Sequence, residues 1–288
     1  MKFRIRHLTE YKYQAPIAEA YGELRLTPPE LPTQHIANHR VHLAPETETS
    51  TYDDFFGNPV RFFSLPFRHK SLRIINRFEA ETAAPQLPEE ALEVSIQEAR
   101  QIFASHYHEF YPYLQAGDGV EFSPDATFWA KEYLPGRAPI GQAVDALNTA
   151  IYKHFKYVSG STDNYTPLTQ VWKERCGVCQ DFAHLMLSVL RTAGLPSRYV
   201  CGYIETDPPK NPAEGALVGA VSTHAWVEVL LPGRHWAPID PTNNQWVGER
   251  HIVVSYGPSA RGAAPFRGTF KGVSGTQKMR VEVKMERI

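Results

Sequence analysis

Cysteine is scarce in this chain, with three in 288 residues. An odd count argues against a disulfide framework and leaves each thiol as buried filler or a reactive group. Excess charge of either sign is also missing, since the formal net charge is −1. Nothing in that balance attracts nucleic acid or an acidic membrane surface. No apolar run approaches the roughly 20 residues of a membrane-spanning helix. The stretch Met1–His7 alternates apolar and basic residues and lacks the apolar centre of a signal peptide. These absences predict a cytoplasmic protein with neither a membrane nor a nucleic-acid partner. The histidines form no metal-ligand spacing such as HExxH, so no metal or cofactor is expected. There is no internal repeat and no low-complexity tail.

What is present falls into an α+β pattern. Residues 1–83 alternate with period two in many short runs punctuated by Pro and Gly, which predicts a β-sandwich-like domain. Asp54-Phe55-Phe56-Gly57-Asn58 reads as a turn between strands. The Ala- and Pro-rich stretch 81–88 is the candidate linker. Residues 84–138 form a helical connecting region, with helices expected over 89–104 and 124–133. Residues 139–288 form the core, with the C-terminal strand Met279–Met285 included in it. Helices are expected over 139–155 and 180–193, the latter stopping at Gly194 before Pro196. Strands are expected near 198–205, 223–231 and 235–240.

Cys179 opens the 180–193 helix. A thiol there meets the positive end of the helix dipole, which lowers its pKa. The free amides of the same turn can hold an oxyanion. A histidine must reach the sulfur and an acid must orient that histidine. His224 and Asp240 flank an evident turn at Leu231-Pro232-Gly233-Arg234. A three-residue loop at 231–233 would set them directly opposite one another, and one at 232–234 would make them diagonal neighbours on one face. A two-residue turn would put them on opposite faces. An odd-length loop or a bulge is therefore predicted.

Three stretches together resemble the bacterial transglutaminase-like superfamily. They are Gly177-Val178-Cys179-Gln180-Asp181-Phe182-Ala183-His184-Leu185, Thr223-His224-Ala225-Trp226-Val227-Glu228-Val229 and Asp240-Pro241-Thr242-Asn243. The first half resembles that family's N-terminal β domain through His7-Leu8-Thr9-Glu10-Tyr11-Lys12-Tyr13, Leu24-Arg25-Leu26-Thr27-Pro28 and the 54–58 turn. The resemblance implies a papain-like core with a helix packed on an antiparallel sheet. It makes Cys179 the nucleophile, His224 the general base and acid, and Asp240 its orienting partner. It also implies a protein or peptide substrate and no metal, and it leans towards a protease or amidase over a glutamine amine transferase. Relatives carry a Gly-Arg-Asp-Tyr-like segment where this chain has Tyr256-Gly257-Pro258-Ser259-Ala260-Arg261-Gly262, so the role of that segment is open.

Other readings of the same residues are milder. Cys176 and Cys179 form a Cys-Gly-Val-Cys pair that fits a redox motif, or zinc with His184 or Cys201. The fold could also serve as a binding module without catalysis. Cys201 reads as core and His184 as structural. Tyr157 could line the cleft, and so could Trp226, which shares a strand face with His224 and Glu228. Arg198 reads as a surface residue, and Asp163 and Asp181 as turn and capping groups. The N-terminal β domain is expected to dock on the core and to shape or shield the cleft.

Overall fold

The computed structural model describes residues 1–206, 223–272 and 277–288. The first part contains β1 (Lys2–Ile17), β2 (Glu19–Leu24), β3 (Gln34–Ala44), β4 (Thr49–Asp53), β5 (Pro59–Leu65) and β6 (His69–Thr82). Helices follow: α1 (Glu89–Leu92), α2 (Ile96–Ser105), α3 (Tyr107–Phe110), α4 (Pro124–Tyr133) and α5 (Ile140–His154). Next come β7 (Lys156–Tyr157), α6 (Leu168–Glu174), β8 (Cys176–Gly177) and α7 (Cys179–Thr192). The chain continues through β9 (Ser197–Ile204), β10 (His224–Leu231), β11 (His235–Asp240), β12 (Gln245–Trp246) and β13 (His251–Gly257). It ends with β14 (Phe266–Lys271) and β15 (Gln277–Arg287).

Period-two alternation becomes two four-stranded sheets, ordered β15-β1-β6-β3 and β14-β2-β5-β4. They enclose Ile17, Leu24, Leu43, Phe63, Leu72 and Ile74. The third sheet, β12-β11-β10-β9-β13, carries the second half of the fold. The sequence reading gives the last strand to the core. In the structure β15 pairs with β1, and β14 pairs with β2. Both therefore return to the N-terminal sheets. The open edges of β1 and β2 supply the hydrogen-bonding partners, and local periodicity does not reveal which edge a strand will join.

Helix α7 runs against β9 and β10, and every residue from Asp181 to Arg191 is buried. Its apolar residues join the main core. Asp181, His184, Ser188 and Arg191 form a polar stripe at helical spacing. Each finds a partner in a loop that crosses the helix. Ser188 Oγ donates to the Glu121 carbonyl, and the Ala260 amide donates to His184 Nε2 at 3.1 Å. Arg191 donates to the carbonyls of Ser197 (2.8 Å), Gln115 (2.8 Å) and Pro258 (2.6 Å). The departing segment 256–262 is thus strapped to the buried helix. The 89–104 stretch is two helices, because Ser95 starts a new one with a capping box to Glu98. Helix α6 and strand β13 were not legible from periodicity.

Strand β13 is an edge of its sheet. An unpaired strand edge exposes backbone donors and acceptors that must be satisfied. Two side-chain amides from the N-terminal sheets do this. Gln34 accepts from the Val253 amide (2.7 Å) and donates to the Val253 carbonyl (3.0 Å). Asn58 does the same to Tyr256, at 2.7 and 2.8 Å. Each amide stands in for a residue of a neighbouring strand. The 54–58 turn builds the second clamp, since Asp54 accepts from the Phe56 and Asn58 amides and pairs with Arg25. Phe3, Ile5 and Phe78 pack on Tyr203, Ile252 and Val254 beside these clamps.

Asn58→Leu should leave both Tyr256 backbone groups unpaired and cost about 2–4 kcal/mol in chemical denaturation. Phe55→Ala changes a neighbour that is 79% exposed, and it should stay within about 0.5 kcal/mol of the parent chain.

Candidate active site

Cys179 is the first residue of α7, preceded by Val178 in an extended conformation. The turn that delivers it is held from inside the helix. Asp181 accepts from the Val178 amide at 2.7 Å and from Thr162 Oγ1 at 2.5 Å. This satisfies one orphan donor and leaves the first amides of the helix beside the sulfur without intrahelical partners. Asp181 is therefore the capping group that the sequence predicts. Asp163 is a turn group, accepting from the Tyr165 amide at 2.8 Å.

β10 and β11 join through the three-residue loop Pro232–Arg234, with Val227 opposite Ile239 and Leu231 opposite His235. Gly233 and Arg234 both have positive φ, at 82° and 68°. The odd loop puts His224 and Asp240 on one face as diagonal neighbours, the second of the arrangements considered above. His224 Nε2 lies 2.8 Å from Asp240 Oδ2, and neither side chain has exposed surface. His224 stands opposite Gly202 on β9. A Cβ at Gly202 would come within 2.4 Å of the Trp226 ring and 2.1 Å of the Ile252 carbonyl, so only glycine lets these layers close.

Burial by itself would lower the His224 pKa. The Asp240 carboxylate overrides it through charge and hydrogen bonding and raises the imidazole well above its ordinary value. Interaction with Cys179 adds to that rise. Nε2 is engaged by Asp240, and Nδ1 has no hydrogen-bond partner among the described residues. Nδ1 is therefore the nitrogen open to the thiol. For Asp240, burial would raise the pKa, but His224 and then His251 hold the carboxyl well below its usual range.

His251 was not singled out in the sequence. Its Nε2 lies 3.2 Å from the same Oδ2, and its side chain is 1% exposed. Asn243 Nδ2 also donates to that oxygen, at 2.7 Å. Oδ1 accepts from the Thr242 and Asn243 amides, at 2.9 and 3.2 Å. The turn Asp240-Pro241-Thr242-Asn243 thus folds back on its own carboxylate, which is the signal that could have found Asn243. His251 lies on an edge strand and gives no such local signal. Among the described residues, the group with ligand atoms at metal-binding separations is His224, Asp240 and His251. Their closeness follows from both imidazoles meeting one carboxylate oxygen. Among the described residues, Cys176 and Cys179 join no such group.

Tyr157 lies opposite Gly177 in the parallel pair β7–β8, next to the cysteine turn. Burial, then the charge of Cys179, raises its phenol pKa. The sequence offers Trp226 as a wall of the cleft, but it has no exposed surface. It lies edge-on to His251 at 5.2 Å and tilted against His224 at 6.1 Å, beneath the site. Arg198 is also corrected, from surface to interior. It pairs with Glu228 at 2.6 Å and lies between the rings of Trp236 (4.2 Å) and Tyr256 (3.8 Å). Every residue of its strand β9 except Arg198 itself is buried, so both faces of the strand are covered. Cys201 is core, with burial pushing its thiol up to about 12. His184 is buried with its pKa lowered to about 3 by burial and then by Arg191, which suits its role as an acceptor for Ala260.

Known proteins resemble this chain over most of its length. Residues 128–241 match the transglutaminase-like superfamily, and residues 3–81 match the bacterial transglutaminase-like N-terminal region. An uncharacterized protein of Mycobacterium tuberculosis is 34% identical over 282 residues, covering 93% of this chain and 87% of its own. The chain belongs to the transglutaminase-like superfamily. A Cytophaga hutchinsonii structure provisionally named a cysteine protease superposes with a TM-score of 0.77 at 20% identity. It covers 100% of this chain and 91% of its own, so the superfamily fold holds across both halves. A protein-glutamine gamma-glutamyltransferase of Pseudomonas aeruginosa is 44% identical over 69 residues, which is 24% of this chain and 10% of that protein.

The two shifts set a pH window for this superfamily member. The raised His224 pKa stabilises the fold fully below the unfolded value of about 6.5, and that contribution is lost as pH rises through the folded value. The depressed Asp240 pKa stabilises it above about 3.9, and that contribution is lost as pH falls. Asp240→Asn should therefore cost most, about 3 kcal/mol, between roughly pH 4 and 6.5. Denaturant titration of both proteins across pH checks this.

Proposed function

We propose that this protein is a cysteine-dependent acyl-transfer enzyme acting on amide bonds of proteins or peptides, working as a protease or amidase. The observation that carries the reading is the buried His224–Asp240 pair set against a cysteine at the first position of α7. A raised imidazole pKa keeps His224 protonated beside the sulfur, which favours the thiolate.

In this mechanism the Cys179 thiolate attacks the amide carbonyl carbon. The oxyanion is held by the Cys179 amide and a neighbouring amide of the same turn. His224 gives its proton to the leaving nitrogen, the C–N bond breaks, and an acyl thioester remains on Cys179. Neutral His224 then takes a proton from the incoming nucleophile, which attacks the thioester; the C–S bond breaks and the Cys179 thiolate is released beside protonated His224. Asp240 keeps the imidazole oriented throughout. Tyr157 lines the approach to the sulfur.

A second reading differs only in the last step. If an amine replaces water, the enzyme is a protein-glutamine amine transferase. The local similarity to the Pseudomonas aeruginosa gamma-glutamyltransferase supports it.

Iodoacetamide labelling tests the shared mechanism. Cys179 should alkylate faster than Cys176 and Cys201 at neutral pH, and Cys176→Ser should not change its rate. His224→Ala should slow the labelling of Cys179. Cys179→Ala should lower amide turnover by at least about a thousandfold. Retained turnover would end the reading. Mass spectrometry of products made with and without a primary amine separates hydrolysis from transfer.

A further inference from the structure

The sheet β15-β1-β6-β3 turns one face towards the core and leaves the other in solvent. On most of the outward face, opposite charges meet across strands. Arg73 pairs with Glu10 at 2.7 Å, Arg4 with Glu79 at 2.9 Å and Lys2 with Glu81 at 3.1 Å. One row breaks this rule. Lys284, Arg6, Arg77 and Arg40 stand directly opposite one another across all four strands. Neighbouring strands are about 4.8 Å apart, and like charges placed opposite one another weaken a sheet.

Compensation within the chain is thin. Glu282 lies 3.6 Å from Arg6 and 3.7 Å from Lys284, and it is also bonded to Arg280. Arg40 and Arg77 are exposed and have no carboxylate within ion-pair distance among the described residues. The chain as a whole has a net charge of −1, so this cationic excess is local. A hollow of about 410 Å³ lies over the row, and one of about 360 Å³ adjoins it where Arg40 and Arg77 flank Ile75. Ile75, half-buried, stands in the next row between the buried Leu8 and His42, so an apolar side chain lies beside the cations.

We propose that this face is a docking surface for an acidic segment of a protein partner, one that carries apolar residues among its carboxylates. The cationic row takes the carboxylates, and Ile75 in the adjoining hollow takes an apolar side chain. A phosphate chain would answer the charges and leave Ile75 unmatched. The surface faces away from the third sheet, which carries His224 and Asp240, so it tethers a partner and raises its local concentration without altering the chemistry. It stands whether or not Cys179 is the nucleophile.

Fluorescence anisotropy of the full chain with a short labelled peptide alternating glutamate and leucine tests this. Binding should saturate, weaken as salt rises, and fall at least about tenfold in Arg40→Gln/Arg77→Gln. A peptide alternating glutamate and serine should bind more weakly. The double variant should unfold at the same midpoint or slightly higher, because repulsion has been removed, and its Cys179 labelling should be unchanged. Absent or salt-insensitive binding would overturn the proposal, as would equal binding by the double variant. So would tripolyphosphate or anionic phosphatidylglycerol vesicles binding more tightly than the peptide. A parent dimer that sedimentation shows to be lost in the variant would assign the face to a second copy and overturn it too.

Discussion

Oδ2 of Asp240 meets three side-chain donors, from His224, His251 and Asn243. Two backbone amides hold the other oxygen. A fully buried carboxylate is costly unless its charge is matched and its lone pairs are filled. Here both conditions are met, and the consequence is a fixed imidazole. Nε2 is committed to Asp240, so the other nitrogen is the one left for Cys179. The pKa shifts of both residues, the buried position of Trp226 beneath them and the need for glycine at position 202 all follow from packing around that carboxylate.

The donors come from separate parts of the chain, which ties the site to the whole architecture. His224 is on β10, Asn243 is in the turn after β11, and His251 opens β13. Strand β13 is an edge strand, and what holds it is the N-terminal half of the molecule. Gln34 and Asn58 supply the hydrogen bonds that another strand would have made. Thr82 donates to the Glu249 carbonyl at 2.5 Å, just before His251. The N-terminal sheets thus support the strand that delivers His251. Helix α7 is fixed by comparable means. Its polar stripe binds crossing loops, including the 256–262 segment, so the helix that presents Cys179 has no exposed side.

Legibility in the sequence followed the range of the interactions. The α7 helix was readable because its apolar residues recur at helical spacing and Gly194 and Pro196 end it. The β10–β11 hairpin was readable to its face, because residue parity and loop length together decide which side chains share a side. Cys179, His224 and Asp240 could be picked out because each sits at a local landmark: a helix start, a strand and a strand end. Asp181 and Asp163 behaved as short-range polar groups do. Arg198 did not, because nothing local shows that its strand is covered on both faces.

The sequence by itself determined the alternation that makes strands, the periodicity that makes helices, and the order of thiol, imidazole and carboxylate along the chain. These depend on neighbours within a turn or a hairpin. Only the tertiary structure decided that β14 and β15 close the N-terminal sheets, that two side-chain amides cap β13, and that His251 joins Asp240. Those pairings link residues up to a few hundred positions apart. Each is chosen by which edge or buried polar group remains unsatisfied once the layers have packed, and that quantity exists only in the folded chain.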